Sequence, residues 1–422
     1  MSLTENRIAA IVSRSASAAR DRACPRAARA ALVPGLLAAV LVGGAIGDAG
    51  AQVSGAVPVT ETIRLPKSMT MSAYDTGSSG FNIAVAIGKM LKEKQGVDLR
   101  VIPGGNDIAR LAPLKAGRAQ ASAMGTGVYF AQEGVFEFAV ADWGPQPLQL
   151  MLASTSCNGL TLGVAKDTGV QKIADLKGKR IGFVVGAPAL NQNALAVLAY
   201  GGLTKDDVKI VEFSSYGAMW KGVANNEADA AFASTISGQS REVDASPRGL
   251  VWPPAPADDK EAWKRVRAIG PYYYPHVVTC GAGGISKENP VALPAYPYPI
   301  FTAYASQPTD VVYGLTRSMI ANYDVYKDGA PGADGLELKR QNLTWVLPYH
   351  AGAVKAFKEA GVWTAEAQKH NDELLKRQSV LAIAWKAHLE SKPADDKEAA
   401  YKNWMKIRKE ALEKADMDVV FE

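Results

Sequence analysis

Between residues 68 and 233 the chain runs twice through short apolar segments separated by helical patterns. That repetition decides most of what it can fold into. The first pass predicts a strand over 68–74, a helix over 81–94, a strand over 97–102, a helix over 107–117 and a strand over 119–124. The helix over 81–94 is apolar at Phe81, Ala84, Val85, Gly88 and Leu91, and Lys92, Glu93 and Lys94 wet its end. Gly117 stops the next helix. The second pass predicts strands over 160–165, 180–184, 208–213 and 228–233. Between them fall a short helix and turn at 173–179 and helices over 191–201 and 218–225. Strands alternating with helices call for parallel sheets with helices on their faces. Two such units in tandem predict two similar α/β domains.

The pattern breaks over 249–308, which is rich in proline and tyrosine, as in Trp252-Pro253-Pro254 and Pro271-Tyr272-Tyr273-Tyr274-Pro275. This segment is expected to wrap one domain and return the chain to the other. After Asp310 the pattern is helical, including 351–360, 365–389 and 397–414, with a break at Lys392-Pro393. The tail reads as a solvated helical extension, charged on one side.

The N-terminus points to export. Arg7, Arg14, Arg20, Arg22, Arg26 and Arg29 face only Glu5 and Asp21, and an apolar run over 31–46 follows. Ala49-Gly50-Ala51 then supplies small residues before Gln52. This is the layout of a secretory signal peptide cleaved after Ala51, which would place the protein in the periplasm. The competing reading is an uncleaved anchor, but the run is short of the roughly 20 residues a span needs. No later stretch is long and apolar enough to cross a membrane. Of the 3 cysteines, Cys24 would leave with the signal. Cys157 and Cys280 remain in an oxidising compartment, either as a disulfide or as two buried thiols. The net charge of +5 comes from mixed signs rather than a basic patch, which argues against nucleic acid. The 4 histidines are scattered and no CxxC occurs, so no metal site and no cofactor are expected.

Asp75-Thr76-Gly77-Ser78-Ser79 matches the signature around a catalytic aspartate of pepsin-like proteases, and Asp167-Thr168-Gly169 offers a second copy. Such an enzyme needs two carboxylates sharing a proton. The setting opposes it: Gly80 opens a long helical pattern where an all-β protein is required, and the motifs stand too close for two such lobes. A serine nucleophile at Ser78 or Ser79 lacks a nucleophile elbow and an adjacent base. A strand that ends in Thr76-Gly77-Ser78-Ser79-Gly80 and opens a helix has another use. Glycine lets the backbone turn close to a ligand, and N–H groups at a helix start favour an anion. The loop has neither the lysine of a P-loop nor a dinucleotide fingerprint. Its guest would be a small carboxylate held by neutral donors; the plainer reading is a capped helix start. Further polar loops of this kind lie at 103–107, 125–129 and 186–191. In open α/β sheets such loops converge beyond the strand ends, where ligands sit.

These motifs, in this order, resemble the TAXI family of TRAP-transporter solute receptors. Thr76-Gly77-Ser78-Ser79-Gly80-Phe81 is similar to the family's glycine-rich first loop, and Pro103-Gly104-Gly105-Asn106-Asp107-Ile108-Ala109-Arg110-Leu111 to its second, with Asn106-Asp107 in place of the usual Ser-Val. Ile173-Ala174-Asp175-Leu176-Lys177-Gly178-Lys179-Arg180-Ile181 resembles a segment shared by many binding proteins. Gly202-Leu203-Thr204-Lys205-Asp206-Asp207-Val208 and Glu227-Ala228-Asp229-Ala230-Ala231-Phe232 follow in the family's order. The likeness spans about 68–323. It implies an α/β, two-lobed periplasmic-binding-protein fold that closes like a flytrap. After the signal at 1–51, lobe I would take 52–157, lobe II 158–297, the return to lobe I 298–340 and a C-terminal helical extension 341–422.

The same resemblance implies a monomeric receptor, not an enzyme. Its solute would be small and anionic (a glutamate-like amino acid, a dicarboxylate or a keto acid), delivered to TRAP membrane permease subunits. The implied contacts are Thr76, Gly77, Ser78, Ser79, Phe81, Gly105, Asn106, Thr126 and Tyr129 from lobe I, and Ala187, Pro188, Asn191, Tyr216 and Thr235 from lobe II. Tyr216 suits core packing equally well. The binding protein of an ABC importer is the alternative, and a hydrolase using Asp75 to Ser79 a remote one.

Overall fold

A computed structural model describes residues 65–391 and 396–422. The signal read at 1–51 and the break read at Lys392-Pro393 lie outside the described residues.

The first lobe begins with β1 (Ser68–Ala73), α1 (Ser79–Gln95), β2 (Asp98–Pro103), α2 (Asp107–Lys115), β3 (Ala121–Met124), α3 (Gly127–Glu133) and β4 (Leu148–Ala153). The second follows with β5 (Leu160–Ala165), β6 (Arg180–Val184), α4 (Pro188–Tyr200), β7 (Lys209–Phe213), α5 (Tyr216–Ala224), β8 (Ala230–Ser234), α6 (Gly238–Asp244) and β9 (Leu250–Val251). Then come α7 (Lys260–Ile269), the antiparallel pair β10 (Tyr274–Val278) and β11 (Val291–Ala295), and β12 (Ile300–Tyr304). The remainder is helical: α8 (Thr309–Ala321), α9 (Tyr323–Tyr326), α10 (Ala351–Glu359), α11 (Ala365–Glu390) and α12 (Lys397–Lys414).

Two five-stranded sheets result, ordered β2-β1-β3-β12-β4 and β7-β6-β8-β5-β9. In each, four strands run the same way and one, β12 or β5, is inserted antiparallel. The inserted strands are the first after each crossing between lobes, so each lobe is completed by chain that has just left the other. This is the two-lobed α/β architecture the sequence predicts. Strands β3, β4, β5 and β8 are buried along their whole length, as strands covered on both faces must be. The edge strand β2 alternates between exposed and half-buried.

Three expectations need correction. The segment over 249–308 is not only wrapping chain: it contains α7, whose Ala262, Trp263 and Val266 are buried. Helix α3 and strand β4 were not foreseen. The C-terminal extension is not merely solvated. Trp404, Arg408 and Leu412 are buried, and Trp404 Nε1 donates to the carbonyl of Gly134, the residue that ends α3 in a left-handed conformation, at 2.6 Å.

Candidate functional site

The loops at the carboxyl ends of the strands of both sheets face one another and are joined by hydrogen bonds. After β1, Gly77 takes φ +89, which only glycine adopts readily. Ser78 then caps α1, its hydroxyl accepting the N–H of Phe81 at 3.3 Å. From lobe II, Gly238 N–H donates to the Gly77 carbonyl at 3.0 Å and Gln239 Nε2 to the Thr76 carbonyl at 3.0 Å. After β2, the Gly105 carbonyl accepts Tyr216 N–H at 2.9 Å, and Asn106 Nδ2 donates to the Val185 carbonyl at 3.0 Å. The Asn106 carboxamide oxygen also caps α2 through Ala109 N–H at 2.8 Å.

Two aspartates of lobe I reach helix starts of lobe II. Asp75 Oδ2 accepts Gly217 N–H in the first turn of α5 at 2.8 Å. Asp107 Oδ2 accepts Ala189 N–H in the first turn of α4 at 2.8 Å. The residue at the cap position of α4 is Ala187, which has no side chain able to cap, so the other lobe supplies the acceptor its free N–H groups need. Asp107 is fully buried. Its Oδ1 also accepts from the Tyr74 hydroxyl at 2.8 Å and pairs with Arg110, which is fully buried as well. The Arg110 guanidinium lies 3.2 Å over the Tyr74 ring and donates to the Ala123 carbonyl at 3.1 Å.

Between these contacts is a cavity of about 20 Å³, room for about one water. Tyr74, Ser78, Ser79 and Gly125 line it from lobe I, and Leu160, Leu190, Asn193, Tyr216 and Phe232 from lobe II. Tyr296 and Tyr298, on the chain returning to lobe I, close its side. None of its lining residues is charged. Burial pushes the hydroxyls of Tyr74, Tyr216, Tyr296 and Tyr298 above their ordinary range, so all four stay neutral. The Tyr298 hydroxyl lies beside Gly80 in the first turn of α1, 3.2 Å from where a Cβ on that glycine would stand.

Of the residues named from the sequence, Ser78, Ser79 and Tyr216 come together around this cavity. Thr76, Gly77, Gly105 and Asn106 instead spend their polar groups joining the lobes. Thr126 touches the site indirectly, its hydroxyl accepting from Asn193 Nδ2 at 3.1 Å. The side chain of Asn191 turns back to β6, bonding both the N–H and the carbonyl of Val184. Thr235 is engaged by Gly159 N–H and the Cys280 carbonyl. Tyr129 packs edge-on against Tyr272 and Phe421, Phe81 is half-buried on α1, and Ala187 and Pro188 shape the start of α4. Tyr74, Asn193, Tyr296, Tyr298 and Asp107 were not singled out. Tyr74 directly follows β1, Asn193 sits inside a helix, and the tyrosine pair comes from the far crossover, so none carries a local signal.

The two Asp-Thr-Gly motifs do not form a dyad. Asp167 is held by Arg248 within lobe II at 2.8 and 2.9 Å, while Asp75 serves Gly217. The four histidine rings bond Ser156, Gly352, Trp345 and Asn403, so none is paired with Ser78 or Ser79. Cys157, on the crossing from lobe I to lobe II, is bonded to Cys280 between β10 and β11, with Cα atoms 5.5 Å apart.

Residues 72–361 match the profile of the NMT1-like family. Among solved structures, the alkanesulfonate-binding protein SsuA of Xanthomonas axonopodis pv. citri bound to MOPS is similar at 16% identity, over 71% of this chain and 96% of that one, with a TM-score of 0.38. The amino acid ABC transporter substrate-binding protein AbpA of Streptococcus pneumoniae bound to L-arginine is similar at 13% identity, over 70% and 96%, with a TM-score of 0.36.

Proposed function

The chain belongs to the NMT1-like family, and from that premise we propose that it is an extracytoplasmic solute receptor. It closes two lobes on a small carboxylate solute and hands it to the membrane subunits of a TRAP-type transporter. One observation carries the reading: a buried, uncharged, hydroxyl-lined cavity lies where the strand-end loops of both lobes meet. The hydroxyls and the carboxamide that line it are neutral donors. A pocket of neutral donors at a helix start receives an anion without a lysine or arginine.

The mechanism needs no covalent step. As the lobes stand, the cavity holds about one water, so the solute enters with the lobes apart. The solute favours the closed arrangement to the extent that it makes more contacts there. The chain crosses between lobes twice, and Tyr298 N–H on one crossing donates to the Ser154 carbonyl on the other at 2.9 Å. These paired crossings are the natural hinge.

Native mass spectrometry of residues 52–422, followed by a thermal-shift panel of small acids, tests the reading. A co-purified acid that also raises the melting temperature supports it, since a ligand that prefers the folded state stabilises it. No bound species and no shift across the panel overturns it. Replacing Ser79 by Ala together with Tyr298 by Phe should weaken binding about ten- to a hundredfold, as one or two hydrogen bonds to an anion are lost. The transporter class is tested by the neighbouring genes. A large TRAP membrane subunit supports the assignment, and an ATPase with a permease pair replaces it by an ABC importer.

A further inference from the structure

The segment over 416–422 follows α12 and is held by two arginines. Arg377 Nη1 of α11 donates to the Asp418 carbonyl and Arg408 Nη1 of α12 to the Val420 carbonyl, at 2.8 Å each. Phe421 is thereby set among the rings of lobe I. It packs edge-on against Tyr129 and Phe130 of α3, with centroids 5.2 Å apart in both pairs, and against Phe136 at 5.7 Å. We propose that Phe421 is a positioning residue for the solute cavity: through Tyr129 and Phe130 it braces Tyr272, and Tyr272 fixes Asn193 in the cavity wall. The proposal rests on the solute-receptor reading for what the cavity does, and names a residue outside the cavity on which it depends.

Each step of this path is a contact. Tyr272, in the turn between α7 and β10, meets Tyr129 edge-on at 6.1 Å and Phe130 at 6.2 Å. Its hydroxyl donates to Asn193 Oδ1 at 2.6 Å. Asn193 is fully buried in α4 and lines the cavity. Its Nδ2 donates to Thr126 Oγ1 of lobe I at 3.1 Å and to the Tyr296 hydroxyl at 3.2 Å. The carboxamide is held at both ends, and Tyr272 supplies one of them.

The brace stands where the lobes meet. Phe421 is half-buried, beside a cleft that Gln192 of α4 and Arg267 of α7 also line. Edge-on ring pairs stabilise beyond the area they bury. Taking the Phe421 ring away leaves Tyr129 and Phe130 a space to relax into, and that loosens their hold on Tyr272. A buried carboxamide oxygen that loses its donor carries a desolvation cost, so Asn193 turns from its place in the wall.

Hydrogen exchange of residues 52–422 without solute tests the path. In Phe421→Ala, the amides over 188–196 of α4 should exchange about tenfold faster, the equivalent of one hydrogen bond, with α10 unaffected. Phe421→Tyr keeps the ring and should exchange like the unaltered protein. Tyr272→Phe removes only the hydroxyl and should speed exchange over 188–196 by itself. Adding Phe421→Ala to it should then contribute less than about twofold, because both act through one contact. Faster exchange in Phe421→Ala confined to 127–138, where its ring packs, would make Phe421 a core residue and overturn the positioning role. Effects of the two variants on α4 that multiply in full would overturn it too. Pyruvate, in calorimetric titration, should bind Phe421→Ala about tenfold more weakly than the unaltered protein, and equal binding overturns the role. Pyruvate bound by neither protein counts against the receptor reading alone, since exchange over 188–196 needs no solute.

Discussion

Glu133, at the end of α3, and Arg377, in α11, meet through two nitrogen–oxygen contacts of 2.7 Å each across 244 residues of sequence. Arg408 from α12 joins the same carboxylate, which is fully buried. The extension is thereby pinned to lobe I by a buried arginine–glutamate–arginine triad. Removing the central anion would leave two guanidinium groups buried without a counter-charge. Breaking a buried pair from one side costs about 3–5 kcal/mol. Glu133→Ala is expected to lose that much in urea denaturation, and a loss under 1 kcal/mol would show that the triad does not hold the extension.

The triad also sets a pH dependence. Burial alone would raise the Glu133 pKa, but Arg377 and Arg408 prevail and hold it below the ordinary carboxylate range. A lowered folded-state pKa contributes stability above the unfolded value of about 4.3. That contribution is lost as pH falls through the folded value. Urea midpoints should therefore fall from pH 5 to pH 3. Glu133→Gln should flatten that part of the profile, and a variant profile as steep as the original would assign the acid sensitivity elsewhere.

The Cys157–Cys280 bond closes a loop of 123 residues. Cross-links of this kind stabilise chiefly by restricting the unfolded chain, typically by about 2–4 kcal/mol. Cys157→Ser with Cys280→Ser should lower stability by that amount and make it indifferent to reductant. A thiol assay on unfolded, unreduced residues 52–422 should find no free cysteine; two free thiols would refute the bond.

Much of the fold was legible because its strands are apolar runs between clear breaks. The strands at 160–165 and 180–184 were read with the bounds they have. Strand β4, Leu-Gln-Leu-Met-Leu-Ala, is as buried as those but has no β-branched residue and no alternation, so nothing local marks it. Helix α7 hides between proline-rich stretches. The site was half legible. The Ser78-Ser79 loop announces itself through its own helix start. Asp107, by contrast, gains its meaning from Ala189, which lies 82 residues away, and Tyr298 from its return to α1. Such pairings are products of the lobe exchange, and no local pattern encodes them. For the same reason the charged face of the extension drew attention away from Trp404 and Arg408, whose partners lie in α3 and in the turn that ends it.

Closure itself can be tested at Gly105. A Cβ there would come within 2.7 Å of the Ser215 Cβ across the cleft, closer than real side chains approach. Lobe I cannot yield without moving the Asn106 cap, and lobe II cannot yield without moving the start of α5. Overpacking of this kind costs about 1–3 kcal/mol. Here the strain exists only when the lobes are together, so Gly105→Ala should act on closure and leave each lobe folded. Solute affinity should fall about 5- to 150-fold, the equivalent of that energy, and the radius of gyration from small-angle scattering should rise. Adding Ser215→Gly removes the clash, and glycine at a helix cap costs only a few tenths of a kcal/mol relative to serine. The double variant should therefore regain most of the affinity and the compact radius. If Gly105→Ala binds solute as well as the unaltered protein, closure on the solute does not bring these loops together.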